Sequence, residues 1–210
     1  MSGFELYEAF LWEPGPGYFL LERHLGRLAA SAAHFRFACD LAEVTRRLDE
    51  FAAQLPQVPR KVRLELSAGG GIFLEHVDVK PSSPVPAALA LAPVDSADEF
   101  LRHKTSRRGV YERALRAQPD VQDVLLWNER GELCDSCSAN IALEVDGRRV
   151  TPHTASGLLP GTFRAELLER RELEEEIVPL KALERASRLF LINSVRRWCS
   201  LELCGPSREP

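Results

Sequence analysis

The sequence predicts a mixed α/β (α+β) protein in two lobes, and three observations carry that prediction. Hairpin-like strand patterns are interspersed with helical ones, Pro81-Ser82-Ser83-Pro84 interrupts two patterned regions, and 210 residues at 45% apolar content can bury one substantial core or two small ones. The expected organisation is a small α/β domain over 1–80, a linker over 81–84 and a larger domain over 85–210.

Each element has a local reason. Phe4 to Trp12 is rich in aromatic and aliphatic residues, Glu-Pro-Gly-Pro-Gly breaks it, and Tyr18 to Leu21 resumes an extended pattern, which predicts a hairpin. Leu25, Leu28, Ala29, Ala32 and Ala33 recur at helical spacing from Glu22 to about Phe37, and a second helix is predicted from Leu41 to about Leu55, stopped by Pro56 and Pro59. Lys61–Ser67 and Ile72–Val79 alternate apolar and polar residues around Gly69-Gly70-Gly71, a second hairpin with one wet face. Beyond the linker come a strand (Ala87–Ala92), a helix from near Thr105 to before Pro119, and a strand (Val124–Trp127) with a turn at 128–131. Strands at Ile141–Val145 and Arg149–Thr151 flank Asp146-Gly147. A helix follows Gly161, and Ile177-Val178, a short helix through Leu183 and a strand at Leu189–Ile192 complete the pattern.

Composition narrows the function. The 27 basic and 31 acidic residues give a net charge of −4 with no basic arm, which argues against broad nucleic-acid binding. The most apolar run, 85–94, is broken by Pro86 and Pro93 and falls far short of the roughly 20 residues that cross a bilayer. Met-Ser-Gly-Phe-Glu-Leu lacks the pattern of a signal peptide, so a cytoplasmic protein is expected. The 5 cysteines suit reduced thiols. Cys134-x-x-Cys137 invites a zinc or redox reading, yet no second Cys/His pair stands at ligand spacing and no redox βαβ pattern surrounds it, so no metal is expected.

Four features could carry chemistry. Lys104, one of only four lysines, follows an apolar strand and loop at the expected head of a helix, where an amine can be desolvated and its pKa lowered; a solvated surface charge is the competing reading. Arg107, Arg108 and Tyr111 would share its helical face. Gly157 to Arg164 runs into a helix, so Gly161 permits close backbone approach and Thr162 with Phe163 would offer amides to an anion, unless the octapeptide is an ordinary loop-to-helix junction. Asp135 and Asn140 stand at the mouth of an apolar strand, behind a cluster of small residues. Arg27, on an amphipathic helix, can snorkel or clamp a phosphate bidentately.

Taken in order, Arg27 in His-Leu-x-Arg-Leu, His-Lys104-Thr, Asp135 to Asn140 and Gly161-Thr-Phe-Arg164 resemble the class IV, or fold type IV, pyridoxal-phosphate enzymes. The resemblance covers nearly the whole chain. It implies a two-lobed fold whose larger domain carries a pseudo-barrel sheet, with pyridoxal 5'-phosphate as cofactor. Residue by residue, it implies that Lys104 forms the Schiff base, that Arg27 grips the phosphate, and that Thr162 and Phe163 backbone with Ser194 of Asn193-Ser194-Val195 complete that grip. Asp135 sits where the family places a glutamate on the pyridine nitrogen; a carboxylate there keeps the ring protonated, and the ring draws electrons from a carbanion. Lys104, once released, becomes the base.

Within that family the lyase branch is the nearest. Cys-Asp-Ser-Cys-Ser-Ala-Asn is similar to lyase sequences, as is the opening Phe-Glu-Leu-Tyr-Glu-Ala-Phe. The resemblance implies 4-amino-4-deoxychorismate lyase: a ring proton passes to the lysine, pyruvate departs and aromatisation releases 4-aminobenzoate, a folate precursor. The alternatives are a class IV branched-chain or D-amino-acid aminotransferase and a non-catalytic homologue that binds the cofactor or another phosphate ligand. A homodimer and a small amino-acid-like substrate are implied too. The chain departs from the family pattern at Asp135, Ala142 and Thr162, and it begins at the first hairpin, without the strand and Gly-Asp-Gly loop that usually precede it.

Overall fold

A computed structural model describes residues 3–80 and 84–204. Of the expected linker, 81–83 therefore lie outside the described residues. The chain divides into two compact units: residues 1–81 with 103–107 and 194–196, and 82–102 with 108–193 and 197–210.

The first unit is an antiparallel sheet backed by two helices. Its strands, β1 (Leu6–Glu13), β2 (Gly17–Tyr18), β3 (Arg60–Leu66) and β4 (Ile72–Asp78), lie in the order β2-β1-β3-β4. Side-chain alternation sends Leu6, Phe10 and Trp12 of β1 and Val62, Leu64 and Leu66 of β3 to one face, where they meet Leu25, Leu28 and Ala32 of α1 (Leu21–Phe35) and Val44 and Leu48 of α2 (Leu41–Ala52). Each fully buried leucine in this layer contributes about 2 kcal/mol. Helix α2 starts where it does because Asp40 Oδ1 accepts from Ala42 N at 3.0 Å and Glu43 N at 3.3 Å. The strand expected over Tyr18–Leu21 is only Gly17–Tyr18, since α1 already begins at Leu21.

The second unit is built on an eight-stranded mixed sheet. In chain order its strands are β5 (Val85–Leu89), β6 (Asp123–Trp127), β7 (Leu133–Ser136), β8 (Asn140–Val145), β9 (Arg148–Pro152), β10 (Glu174–Glu176), β11 (Arg188–Asn193) and β12 (Arg197–Leu203). The spatial order is β10-β9-β8-β11-β12-β5-β6-β7. β7 is an edge and β8 lies third from the opposite edge, yet only residues 137–139 separate them in sequence. Three residues cannot span a flat sheet of that width, so the sheet curls into an open barrel around Leu125, Leu133, Ile141, Leu143, Leu191 and Leu201. Outside it lie α3 (Gly109–Arg116) and α4 (Thr162–Glu169).

Two expectations fail here. No helix starts near Thr105, because residues 104–106 pair with the chain leading into β1; α3 begins at Gly109. The strand expected at Ile177-Val178 lies instead at Glu174–Glu176, and β12 adds a strand beyond the expected last one.

Candidate active site

In the first unit, the chemistry gathers along β1. Alternation places Glu8 on the core-facing side between Leu6 and Phe10, a carboxylate in an apolar face that needs a partner. α1 provides it. Arg27 Nε donates to Glu8 Oε1 at 2.8 Å and Nη2 to Oε2 at 2.6 Å, while His24 Nδ1 lies 2.7 Å from Oε2. Burial pushes the Glu8 carboxyl up, but Arg27 and His24 outweigh it and hold the group at about 2. Arg27 is thus fixed in direction as well as in charge.

Lys104 approaches from the other side of β1. Tyr7 N donates to Lys104 O at 3.0 Å, Ser106 N donates to Glu5 O at 2.8 Å, and the Ser106 hydroxyl donates to Glu5 Oε2 at 2.8 Å. The lysine backbone is therefore held beside β1 at an isolated antiparallel bridge, Leu6 to Thr105, and its Nζ lies 4.6 Å from the Tyr7 ring centroid. His103 beside it is anchored by Ser31 Oγ at 2.9 Å from Nδ1 and stacked on His34. Ser194, in the link that follows β11, belongs to the same unit; it is buried, and its hydroxyl donates to the Ala9 carbonyl at 3.3 Å.

In the second unit, Asp135 lies one residue before the end of β7 and Asn140 opens β8. Asp135 Oδ1 accepts from Ser136 N and from Asn140 Nδ2, both at 3.1 Å, and Oδ2 accepts from Leu159 N at 3.4 Å. Asn140 Nδ2 also donates to Leu159 O at 2.8 Å, so one amide ties the carboxylate to the loop before α4. A Cβ at position 161 would overlap the Asn140 amide oxygen, which makes Gly161 a packing requirement. α4 opens at Gly161 without a side-chain cap, so its first amides, at Thr162 and Phe163, have no cap oxygen from that residue. Asn193 closes β11.

Asp135 is the most telling of these groups. It is buried, no cationic side chain pairs with it among the described residues, and burial pushes its carboxyl up to about 8. A carboxylate placed this way calls for a positive partner, which a protonated pyridine nitrogen would be. Each unit carries groups that suit pyridoxal phosphate: the first the lysine and the bidentate-held arginine, the second the helix start at Gly161 and a buried carboxylate with no cationic partner among the described residues.

The cysteines take no part. Cys134 Sγ donates to Ser156 O at 3.0 Å and Cys137 Sγ to Tyr111 O at 3.5 Å, and burial pushes both thiols up to about 12. Among the described residues no group of three or more His, Cys, Asp or Glu could hold a metal ion, and no helix is long and apolar enough to cross a membrane. Arg108, expected on a helical face with Lys104, lies before α3, donates to Cys137 O and stands over Tyr111. Sequence reasoning missed Tyr7, Glu8 and Asp123. Only Glu8 carried a signal, as a charge at the core-facing period of a strand.

A family model described as amino-transferase class IV matches residues 5–202. A Schizosaccharomyces pombe protein described as a candidate aminodeoxychorismate lyase is 29% identical over 95% of this chain and 89% of its own length. A crystal structure of a candidate amino-acid aminotransferase from Mesorhizobium loti is 36% identical, covers 96% of this chain and 100% of that one, and superposes with a TM-score of 0.89. The pyridoxal-phosphate-bound form of an aminotransferase of hypothetical assignment from Mycobacterium tuberculosis shares the fold at 20% identity, with 97% and 82% coverage and a TM-score of 0.82. The chain belongs to the class IV aminotransferase family of pyridoxal-phosphate-dependent enzymes.

Proposed function

We propose that this protein is a 4-amino-4-deoxychorismate lyase that forms 4-aminobenzoate and pyruvate and works as a homodimer. The observation that carries the reading is the match to the S. pombe candidate lyase across 95% of this chain, joined to the small-residue run Cys134–Ala139 around Asp135, which has no cationic partner among the described residues. When bound, the cofactor supplies an electron sink for a carbanion at the substrate carbon. The chain supplies the rest. In the first unit Arg27, oriented by Glu8, would hold the phosphate with Ser194, whose hydroxyl would turn from the Ala9 carbonyl; in the second, the α4 amides at Thr162 and Phe163 are the candidates to meet an anion. Asp135, kept in direction by Ser136 N and Asn140, holds a proton on the pyridine nitrogen. Lys104 Nζ removes the proton beside the substrate amine, and Tyr7 offers a π face to the resulting ammonium.

The test follows pyruvate. The cofactor-loaded protein incubated with 4-amino-4-deoxychorismate releases pyruvate and 4-aminobenzoate in equal amounts, whereas keto-acid-dependent amino transfer without pyruvate overturns the reading. The second reading, an amino-acid aminotransferase, rests on the M. loti protein, which is 36% identical over its whole length. Either enzyme places its cofactor on one amine. Borohydride reduction and peptide mapping label Lys104; label on Lys61, Lys80 or Lys181 refutes the site.

A further inference from the structure

The side chains of Ser136, Cys137 and Ser138 have no part in the chemistry above, yet the run surrounds a second buried carboxylate. Asp123, at the start of β6, is buried and meets four donors. Its Oδ1 accepts from Val124 N at 2.8 Å and Cys137 N at 2.9 Å; its Oδ2 accepts from the hydroxyls of Ser136 at 3.0 Å and Ser138 at 2.5 Å. The Ser136 hydroxyl oxygen in turn accepts from Ser138 N at 3.2 Å and Ala139 N at 2.9 Å. The Ser136 and Ser138 hydroxyls and the Cys137, Ser138 and Ala139 amides of the turn are thereby tied, directly or through Ser136, to one side chain on the neighbouring strand. That turn separates Asp135 from Asn140, and its first amide is itself a donor to Asp135 Oδ1.

We infer that Asp123 is a positioning residue for Asp135: by holding the 136–139 turn it fixes the two donors, Ser136 N and Asn140 Nδ2, that aim the Asp135 carboxylate. The inference rests on the reading that Asp135 faces the cofactor's ring nitrogen. Placement matters more for this chain than for one with a glutamate at that position, since a side chain shorter by one methylene has less reach with which to correct a misplaced backbone. The neighbouring groups that bear on Asp123 are Ser136, Ser138 and the Val124 and Cys137 amides, with Asp135 near enough to feel its charge. The partners of Asp123 are four neutral donors, so its work is done by shape and hydrogen bonding, and an amide of the same shape can take over most of it. With the amide oxygen in the place of Oδ1, both backbone N–H groups keep their acceptor. The amide nitrogen then donates to the Ser138 hydroxyl, which turns to solvent, while the Ser136 hydroxyl, whose oxygen already accepts from Ser138 N and Ala139 N, keeps its proton on Ala139 O.

The prediction therefore separates geometry from charge. In the cofactor-loaded protein, Asp123→Asn keeps the parent's visible absorption maximum and cofactor release rate. Asp123→Ala shifts the maximum to shorter wavelength, as the ring nitrogen loses its proton, and releases the cofactor roughly ten- to a hundred-fold faster. In the cofactor-free protein, the Ser136 amide keeps its protection from hydrogen exchange in Asp123→Asn and loses it in Asp123→Ala. Should Asp123→Ala fail to fold, Ser138→Ala, at an exposed residue, gives the same shift and faster release in smaller measure. An unmoved spectrum and release rate in both Asp123→Ala and Ser138→Ala overturns the inference, as does a spectrum altered by Asp123→Asn as strongly as by Asp123→Ala. Asp135→Asn is the separate control for the underlying reading. If it leaves the spectrum unmoved, Asp135 does not face the ring and the inference falls with it, whereas the exchange measurement on the cofactor-free protein still reports whether Asp123 holds the turn.

Discussion

Two buried carboxylates, Glu8 and Asp135, respond to burial in opposite ways, and the difference lies in their partners. Glu8 has Arg27 and His24 within hydrogen-bond reach and is held at about 2, below its ordinary 4.5. Asp135 has only amide donors and is pushed up from its ordinary 3.8 to about 8. The signs follow from linkage. The lowered group adds stability that is present above pH 4.5 and is lost as pH falls toward 2; the raised group adds stability that is full below pH 3.8 and is lost as pH rises through 8. The melting temperature of the cofactor-free protein should thus fall on both sides of a maximum near pH 4. Glu8→Gln makes the acid limb shallower, leaving the part due to Glu129 and Glu132, while Asp135→Asn or addition of pyridoxal phosphate flattens the alkaline one. An alkaline limb unchanged in Asp135→Asn would refute the assignment. Arg27, Asp135 and Asn140 are singled out by the sequence as candidates because each stands in a spaced motif. Asp123 is not, because an aspartate at the head of an apolar strand looks like an ordinary turn residue until the fold brings the serines of 136–138 to it.

At the scale of elements, periodicity located α1, α2 and the two hairpins of the first unit to within a few residues, since one face of each is apolar. Where it failed, a tertiary contact had overridden local pattern. Thr105 to Arg108 looks like the first turn of a helix, but the Ser106 hydroxyl and amide are spent on Glu5, which draws the segment out beside β1 and leaves Lys104 held by backbone bonds. Three consecutive glutamates make an unpromising strand, yet β10 pairs in parallel with β9 because Arg148 Nη1 meets Glu174 at 2.8 Å and Glu176 at 3.5 Å, while buried Arg164 meets Glu175 at 2.5 Å. The start of α4 is the least forgiving junction. Gly161→Ala must displace the Asn140 amide, at a cost of about 1–3 kcal/mol in stability. Its equilibrium affinity for pyridoxal phosphate should fall roughly ten-fold or more, since Asn140 also braces Asp135. Fluorescence titration checks this, and an unaltered affinity would mean that the Asn140 bridge does not serve the cofactor.

On the scale of the whole molecule, the proposed dimer has a physical motive in the first unit. The sheet face turned away from α1 and α2 carries Phe73 and Val77, 56% and 52% exposed, on edge strand β4. A second copy covering that face would remove both from water. Sedimentation at micromolar concentration should give a dimer, and Phe73→Glu should weaken it; a monomeric parent protein argues against the assembly.

The polypeptide enters the first unit three times, at 1–81, 103–107 and 194–196, and two of those visits supply Lys104 and Ser194. Splitting the gene at the proline-rich stretch would therefore yield an amino-terminal fragment that keeps Arg27 and Glu8 but possesses neither Lys104 nor Ser194. On the proposed reading, such a fragment would not form the Lys104 adduct with pyridoxal phosphate, whatever its remaining lysines do. Reconstitution from two separately expressed halves would recover colour only after the carboxy-terminal half had threaded two short peptides back into its companion, so pigmentation would serve as a direct reporter of complementation.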